Sequence, residues 1–565
     1  MRRGLRTTIL CFACLGILAL PGSAAAAIEV ESFLFDASTA QAGAHPDLTV
    51  HVSFAEPGAP ETAQDAVVQL PPGLFLYPGT LPRCGPQQLA DDECPIDSQV
   101  GVVDVQVASF GSLEKTPVYL AVPEPGEVAR LAFHSLGFAE PLEVPVRAGA
   151  ASGYSLSLAF EELPEAMPIA SLELALWGVP PAPIHDEERG PHASEIPGGR
   201  QANIPQTPFT RNPTACGATS ASVTANSYEE PDEFSTATAS GPTVTGCDKL
   251  AFEPASAFAL SSAETASAAG IGMEYQLPQD LTPHGLATSD TEAIALYLPG
   301  LAVNEAAASQ QATCTLAEAN LATEDPSACP AASKIGTFST ALAAGDGALE
   351  GGIYFGGAES PSEYRLFLAA GGAGPELKLP AWLVSAGSEA ELVIPELPQL
   401  PLEELDLQVD PAASLFLTPP QCGTFEALTE AFDWSRSDFA FVMPTPFTID
   451  SGPGSGPCPS PADKATSTPK PSAPALPAPA QNPIVKLRRH PVHHGHDRTP
   501  TFRFVSSIAG STFQCKIDRR PWRPCHSPLT LHKLRFGSHV FRVKALAAAG
   551  AASPVVTYRF IVARP

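Results

Sequence analysis

Histidines 490, 493, 494 and 496 spell H-x-x-H-H-x-H, a run of imidazoles able to hold zinc, copper or nickel. The run contains no cysteine and closes a Pro- and Ala-rich stretch, so nothing preorganises its geometry. We read His490, His493, His494 and His496 as part of a basic linker, with a metal scavenger as the alternative. His185-Asp186-Glu187-Glu188 also offers ligand types, but consecutive residues seldom converge on one ion, and a loop is the simpler reading. Ser112-Leu113-Glu114-Lys115 and Ser467-Thr468-Pro469-Lys470 match the S-x-x-K of serine acyl-transfer enzymes, without an S-D-N or K-T-G string. Glu161-Glu162 and Glu403-Glu404 could serve a glycosidase, which needs two carboxylates, yet 60 acidic residues leave no pair singled out. The sequence has no G-x-S-x-G, H-E-x-x-H, phosphate-binding loop, dinucleotide fingerprint or EF-hand string. It therefore defines no catalytic residue and calls for no cofactor.

Charge is the second source of chemistry. Residues 484–565 carry fifteen Lys and Arg against Asp497 and Asp518, whereas residues 28–480 carry fourteen basic against fifty-eight acidic residues. The overall charge of −28 hides this separation. A small domain so basic attracts anionic envelope polymers or acidic glycans, and Lys516, Arg519, Arg520, Arg523, Arg542, Lys544 and Arg559 are its candidate binding residues. The acidic body of the same chain is another attractor, and export disfavours nucleic acid.

Export is expected from the first 27 residues. Arg2, Arg3 and Arg6 precede an apolar run from Ile9 to Leu20, followed by Pro21-Gly22-Ser23 and four alanines, the pattern of a cleaved signal peptide. The apolar run is too short to span a bilayer, and no later segment is long enough. The expected destination is therefore the exterior or the cell envelope, without a transmembrane anchor. Ten cysteines remain after residue 27 and lie in neighbouring pairs. In an oxidising compartment they argue for five local disulfides: Cys84–Cys94, Cys216–Cys247, Cys314–Cys329, Cys422–Cys458 and Cys515–Cys525.

The elements that must position these residues come in two copies. Leu70-Pro71-Pro72-Gly73-Leu74, Cys84 and Cys94-Pro95-Ile96-Asp97-Ser98-Gln99-Val100-Gly101 are answered by Leu298-Pro299-Gly300-Leu301, Cys314 and Cys329-Pro330-Ala331-Ala332-Ser333-Lys334-Ile335-Gly336. Asn212-Pro213-Thr214-Ala215-Cys216-Gly217 is matched by Thr418-Pro419-Pro420-Gln421-Cys422-Gly423, and Ser-Gly-Pro precedes the last cysteine of each copy. Residues 180–206 form a long loop with no counterpart of equal length in the second copy. Alternation is period two, as in Leu48, Val50, Val52 and Phe54, and 61 prolines disfavour long helices. The expected class is all-β. It comprises two duplicated, disulfide-braced β-sandwich-type modules, 28–247 and 248–458, a Pro/Ala-rich linker, 459–483, and a C-terminal immunoglobulin- or fibronectin-like sandwich, 484–565. Short helical turns are expected only between paired cysteines, near 87–90 and 315–321.

The string F-x-C-K-x-D-x-x-x-W-x-x-C-x-S-P-L-T-L from Phe513 to Leu531, with Gly537 to Ala545, resembles bacterial immunoglobulin-like repeats of large exported proteins of high-GC soil bacteria. Arg519-Arg520 replaces the Gly-Gly usual in that turn. The duplicated body resembles uncharacterised exported proteins of the same bacteria that carry L-P-x-G-L, C-P-x-x-S-x-x-G and T-P-x-x-C-G strings. The two resemblances cover nearly the whole chain after residue 27 and imply location and architecture, with no catalytic residue to carry over. The expected function is a non-enzymatic exported binding or structural protein docked by its basic domain. The alternatives are a secreted hydrolase of wall polysaccharide or glycan and the histidine-based metal scavenger.

Overall fold

Leu48, Val50, Val52 and Phe54 are buried while Thr49, His51 and Ser53 are half-exposed, so the strand Leu48–Ala55 has one face in a core and one in water. The same rule builds most of the chain. The computed structural model describes residues 28–55, 62–108, 111–112, 115–134, 140–191, 196–345, 347–372, 376–385, 388–436, 440–458, 485–489, 491, 494–495, 497–506, 511–518, 520, 522–546, 553 and 555–562. The expected signal peptide and the linker 459–483 lie outside the described residues.

In the first module the sheet runs Glu29–Ala37, Leu48–Ala55, Ile169–Leu176, Gln99–Val107, Thr116–Ala121, Ala129–Phe133, Leu142–Ala148, Leu156–Phe160, Ala63–Gln69, Ser220–Ser227, Ser235–Ser240, all neighbours antiparallel. The second runs Ala255–Leu260, Ile271–Gln276, Leu402–Val409, Lys334–Leu342, Ala348–Ser360, Glu363–Gly371, Leu377–Ser385, Glu389–Ile394, Thr291–Pro299, Gly423–Asp433, Ala440–Ile449. Position for position, the strand order is the same. Each sheet curls around its own apolar core. In the second, the two ends meet where Thr445 donates to the Ser256 carbonyl and the Phe258 and Phe447 rings lie 5.4 Å apart. Helix is confined to short turns, including Pro86–Ala90 and Leu316–Ala319 between paired cysteines. All five expected disulfides are present.

The C-terminal unit is a two-sheet sandwich. One sheet holds Val485–Arg489, Thr501–Ser506 and Leu529–Thr530; the other runs Arg523–Cys525, Thr512–Ile517, Gly537–Leu546, Val556–Val562 and His494–Gly495, with only the last pair parallel. This is the immunoglobulin/fibronectin-like arrangement. Phe502 and Phe541 stack across the core at 3.9 Å. The disulfide ties neighbouring strands of one sheet and does not bridge the two sheets.

The two modules are joined by buried polar contacts. Arg211 and Asp290, both 0 % exposed, form a two-pronged ion pair at 2.7 Å on each prong. The Gly73 carbonyl also accepts from Arg211, and the Thr214 hydroxyl from the same module reaches Asp290. Phe75 and Tyr77 of the first module enter the core of the second, and burial pushes the Tyr77 phenol up to about 12. Backbone bonds from Gly79 to Ala344 and from Ala287 to Gly43, with the Lys378 amide donating to the Tyr154 hydroxyl, extend the seam. Gly43 has φ +65°, and a Cβ there would meet Leu250 at 2.9 Å and the Ala287 backbone at 3.1 Å, so close approach requires glycine.

Burial opposes ionisation of Asp290, and Arg211 with Thr214 pulls it back toward the carboxylate, so removing one partner strands a charge without water. Asp290→Ala is expected to lower stability by about 3–5 kcal/mol, read by urea unfolding. The Arg211→Met/Asp290→Leu double variant should recover most of that loss. A loss below about 1 kcal/mol, the range of a surface pair, would refute the burial argument.

Candidate functional site

Strand alternation sorts the basic domain. Cys515, Ile517, Phe541, Val543 and Ala545 point into the core, so Gln514, Lys516, Val540, Arg542 and Lys544 take the opposite face. Lys516 lies directly opposite Arg542, and Gln514 opposite Lys544. Among the described residues no carboxylate pairs with Lys516 or Arg542. Like charges facing each other across a ladder destabilise a sheet. Lys544 lies over the Trp522 ring at 4.8 Å, which adds an aromatic to this face.

The domain's two acids are committed elsewhere. Asp518 accepts from the Val540 amide and pairs with His539 at 2.8 Å, and Asp497 accepts from the Thr499 amide and hydroxyl. Of the other candidates, Arg559 pairs in register with Val540, Arg520 is exposed in a turn, and Arg519 lies outside the described residues. Arg523 faces Cys515 across the ladder, so it projects from an exposed edge strand away from the Lys516–Arg542 face. The alternation of 514/516 and 540/542/544 was readable; Trp522 as a member of the face was not, because it lies outside any strand.

His490, His493 and His496 lie outside the described residues, and His494 is described only as a strand residue opposite Ile561. Among the described residues no group of His, Cys, Asp and Glu has the geometry to hold a metal ion, and no helix is long and apolar enough to cross a membrane. Of the carboxylate pairs, Glu161 is bonded to Arg147 at 2.6 Å, and Glu403 and Glu404, as consecutive strand residues, face opposite sides of their sheet.

In the loop that follows Trp177, described at residues 178–191 and 196–209, several side chains are buried. His185 stacks on Trp177 with centroids 4.5 Å apart, Arg189 lies 5.4 Å from the same ring, and Arg189 is only 1 % exposed. Gln99 holds the loop by donating to the Glu188 carbonyl and accepting from the Gly190 amide at 2.6 Å. On the second module an open cleft of about 670 Å³ is lined by Ser261, Gly270, Gly272, Lys334, Thr337, Gln408 and Asp410 among others. No spacing in the sequence marked it.

No family model and no curated protein matches the chain. Among solved structures, the C-terminal domain of the AgI/II polypeptide BspA of Streptococcus agalactiae is similar at 7% identity and TM-score 0.16, over 74% of this chain and 98% of that one. The chicken CNTN1 FN1-FN3 domains align at 7% identity and TM-score 0.13, over 95% and 97% of the two chains. A type II cohesin dyad from the ScaA scaffoldin of Acetivibrio cellulolyticus gives 9% and 0.15, over 74% and 99%. Superpositions at these scores carry no functional argument.

Burial, with the Arg189 charge and against Asp47, holds His185 below its ordinary 6.5. Unfolded His185 takes up a proton below about pH 6.5 while folded His185 resists, so its contribution is full above pH 6.5 and is lost as pH falls toward the folded value. The stability difference between the parent and His185→Gln should therefore shrink between pH 7.5 and 5. Glu292, pushed up to about 7 mainly by burial and then by Asp433 and Glu396, has the opposite sign. Glu292→Gln should stabilise more at pH 8 than at pH 5. Denaturant unfolding of each variant at the two pH values checks both, and pH-independent differences would contradict the sign.

Proposed function

We propose that this chain is a non-enzymatic extracellular or envelope-associated binding protein whose C-terminal sheet face holds anionic envelope polymers or acidic glycans. The observation that carries this reading is Lys516 opposite Arg542, with Lys544 beside them and both local acids committed to turns. A fold that tolerates unneutralised like charges on one face has a use for them when a polyanion supplies the counter-charge. The five disulfides support life in an oxidising compartment, as does the resemblance of the body and the terminal domain to exported proteins. The paired modules then act as the body that the basic domain docks to the envelope through the linker 459–483. The hydrolase alternative loses support because Glu161 is engaged by Arg147, and Glu403 and Glu404 face opposite sides of their sheet.

Lys516→Gln removes a cross-strand repulsion and should stabilise the full-length protein by about 0.2–1 kcal/mol. The Lys516→Glu/Arg542→Glu variant should bind isolated envelopes and a soluble polyuronate roughly tenfold more weakly, about 1.4 kcal/mol. Parent binding should fall steeply as salt shortens the screening length to about 8 Å at physiological ionic strength. Unchanged binding by the charge-reversed variant, or salt-independent binding by the parent, would refute docking through this face.

A further inference from the structure

The two modules coincide around the loop 178–209 in detail. Trp177 donates its amide to the Val100 carbonyl at 2.8 Å, and Asp410 donates to Ile335 at 2.8 Å. The Asp47 amide donates to Ser38 Oγ at 2.9 Å, and the Gly270 amide to Ser261 Oγ at 2.8 Å. Ser98 and Ser333 each bond back to the carbonyl of the preceding Cys-Pro proline. These bonds equate Ser38 with Ser261, Asp47 with Gly270, Gln99 with Lys334, and Trp177 with Asp410.

In the first module two of these positions, Gln99 and Trp177, are buried beneath its own chain, while Ser38 stays exposed. The segment that follows Trp177 folds back, placing His185 and Arg189 on Trp177, His185 beside Asp47, and the Glu188 carbonyl and Gly190 amide on Gln99. In the second module residues 411–415 take the place of the loop, with a single turn at Pro411–Ala413. Ser261, Gly270, Lys334, Asp410 and Pro411 consequently line the open cleft of about 670 Å³. A Cβ on Gly272 would meet its nearest neighbour only at 3.7 Å, so the cleft has room for a side chain there.

The side chains indicate what fits. Where the first module offers the Trp177 ring to a guanidinium, the second offers the exposed carboxylate of Asp410, one oxygen of which caps the Ala412 amide at 2.8 Å. Gln408 and Thr337 supply donors and acceptors for backbone groups. Glu274 and Asp406 face each other on the same outer sheet face, with Glu404 two residues along; with Asp410 these acids outnumber the one lining cation, Lys334, whose ammonium donates to the Gly351 carbonyl, so the surroundings favour a cation. A second copy cannot lend its 178–209 loop, because Arg189 is already 1 % exposed in its own module.

We infer that the cleft of the second module receives an arginine-bearing polypeptide turn from a partner protein, in the place that the turn carrying His185 and Arg189 fills in the first. The proposal is independent of the basic C-terminal face. The probe is a labelled cyclic peptide spanning Pro183–Gln201 with Glu187→Ser and Glu188→Ser, titrated into the full-length protein by fluorescence polarisation at low salt. Saturable binding is expected, weakened at least tenfold by Asp410→Asn, which keeps an acceptor for Ala412, by Gly272→Tyr, which fills the cleft, and by Arg189→Ala in the peptide. Lys516→Glu in the protein should leave it unchanged. Absence of binding up to about 1 mM, the weak limit of useful affinity, overturns the proposal. Insensitivity to both cleft variants, or displacement by a neutral hexasaccharide, overturns it equally. Melting curves of Asp410→Asn and Gly272→Tyr matching the parent tie the losses to the cleft.

Discussion

Arg211 and Asp290 are both wholly screened from bulk solvent, and that constraint organises the body of the molecule. A guanidinium and a carboxylate taken out of solvent recover their hydration only through a two-pronged geometry with the remaining lone pairs and protons engaged. Gly73, Thr214 and the Phe75 ring provide most of those engagements, leaving the buried Arg211 Nε as the one unbonded donor of the guanidinium, and all three belong to the module that carries Arg211. The modules can therefore sit in one relation without stranding a charge. The turn 73–80 that bears Phe75 and Tyr77 is committed to the second core by the same geometry.

The pair also breaks the pattern of the two copies. Following the matched Asn212/Thr418 strings and the common ladder registers, Leu417 stands where the first module has Arg211, and Thr62 stands where the second has Asp290. Two like units packed head to tail present different surfaces to the seam, so residues at equivalent positions must diverge there. An isologous contact would have let the same residue serve twice.

Strand alternation, paired cysteines and the Cys-Pro landmarks were legible because each is a local consequence of pleat, loop closure or turn chemistry. The order in which strands join was not, since Leu48–Ala55 pairs with Ile169–Leu176, more than a hundred residues away, and nothing local selects that partner. Arg211 and Asp290 were single charges in an acidic chain until the fold brought them together. Residues 180–206 were legible as a loop, yet the burial of His185 and Arg189 within it was hidden, because Trp177 and Gln99 act on it from the end of one strand and the start of another. The candidate basic face was half legible: alternation placed Lys516, Arg542 and Lys544 together, and it also removed Arg523 from them.

The two modules illustrate how a repeated frame separates stability from recognition. Backbone bonds at Trp177 and Asp410, or at Asp47 and Gly270, share one geometry because the sheet needs them, whatever side chain is present. In the first module the covering segment is covalently attached, so its ordering cost is met within folding and the surface beneath can be apolar and aromatic. In the second the short turn 411–415 leaves that surface in water, and the side chains there are accordingly polar: Lys334, Gln408 and Asp410 in place of Gln99, Ala175 and Trp177. An exposed tryptophan at 410 would be a liability, and a carboxylate is not. The exchange of Trp for Asp at one frame position thus follows from the presence or absence of the loop, and it turns a surface shaped for internal packing into a polar one that stands in water.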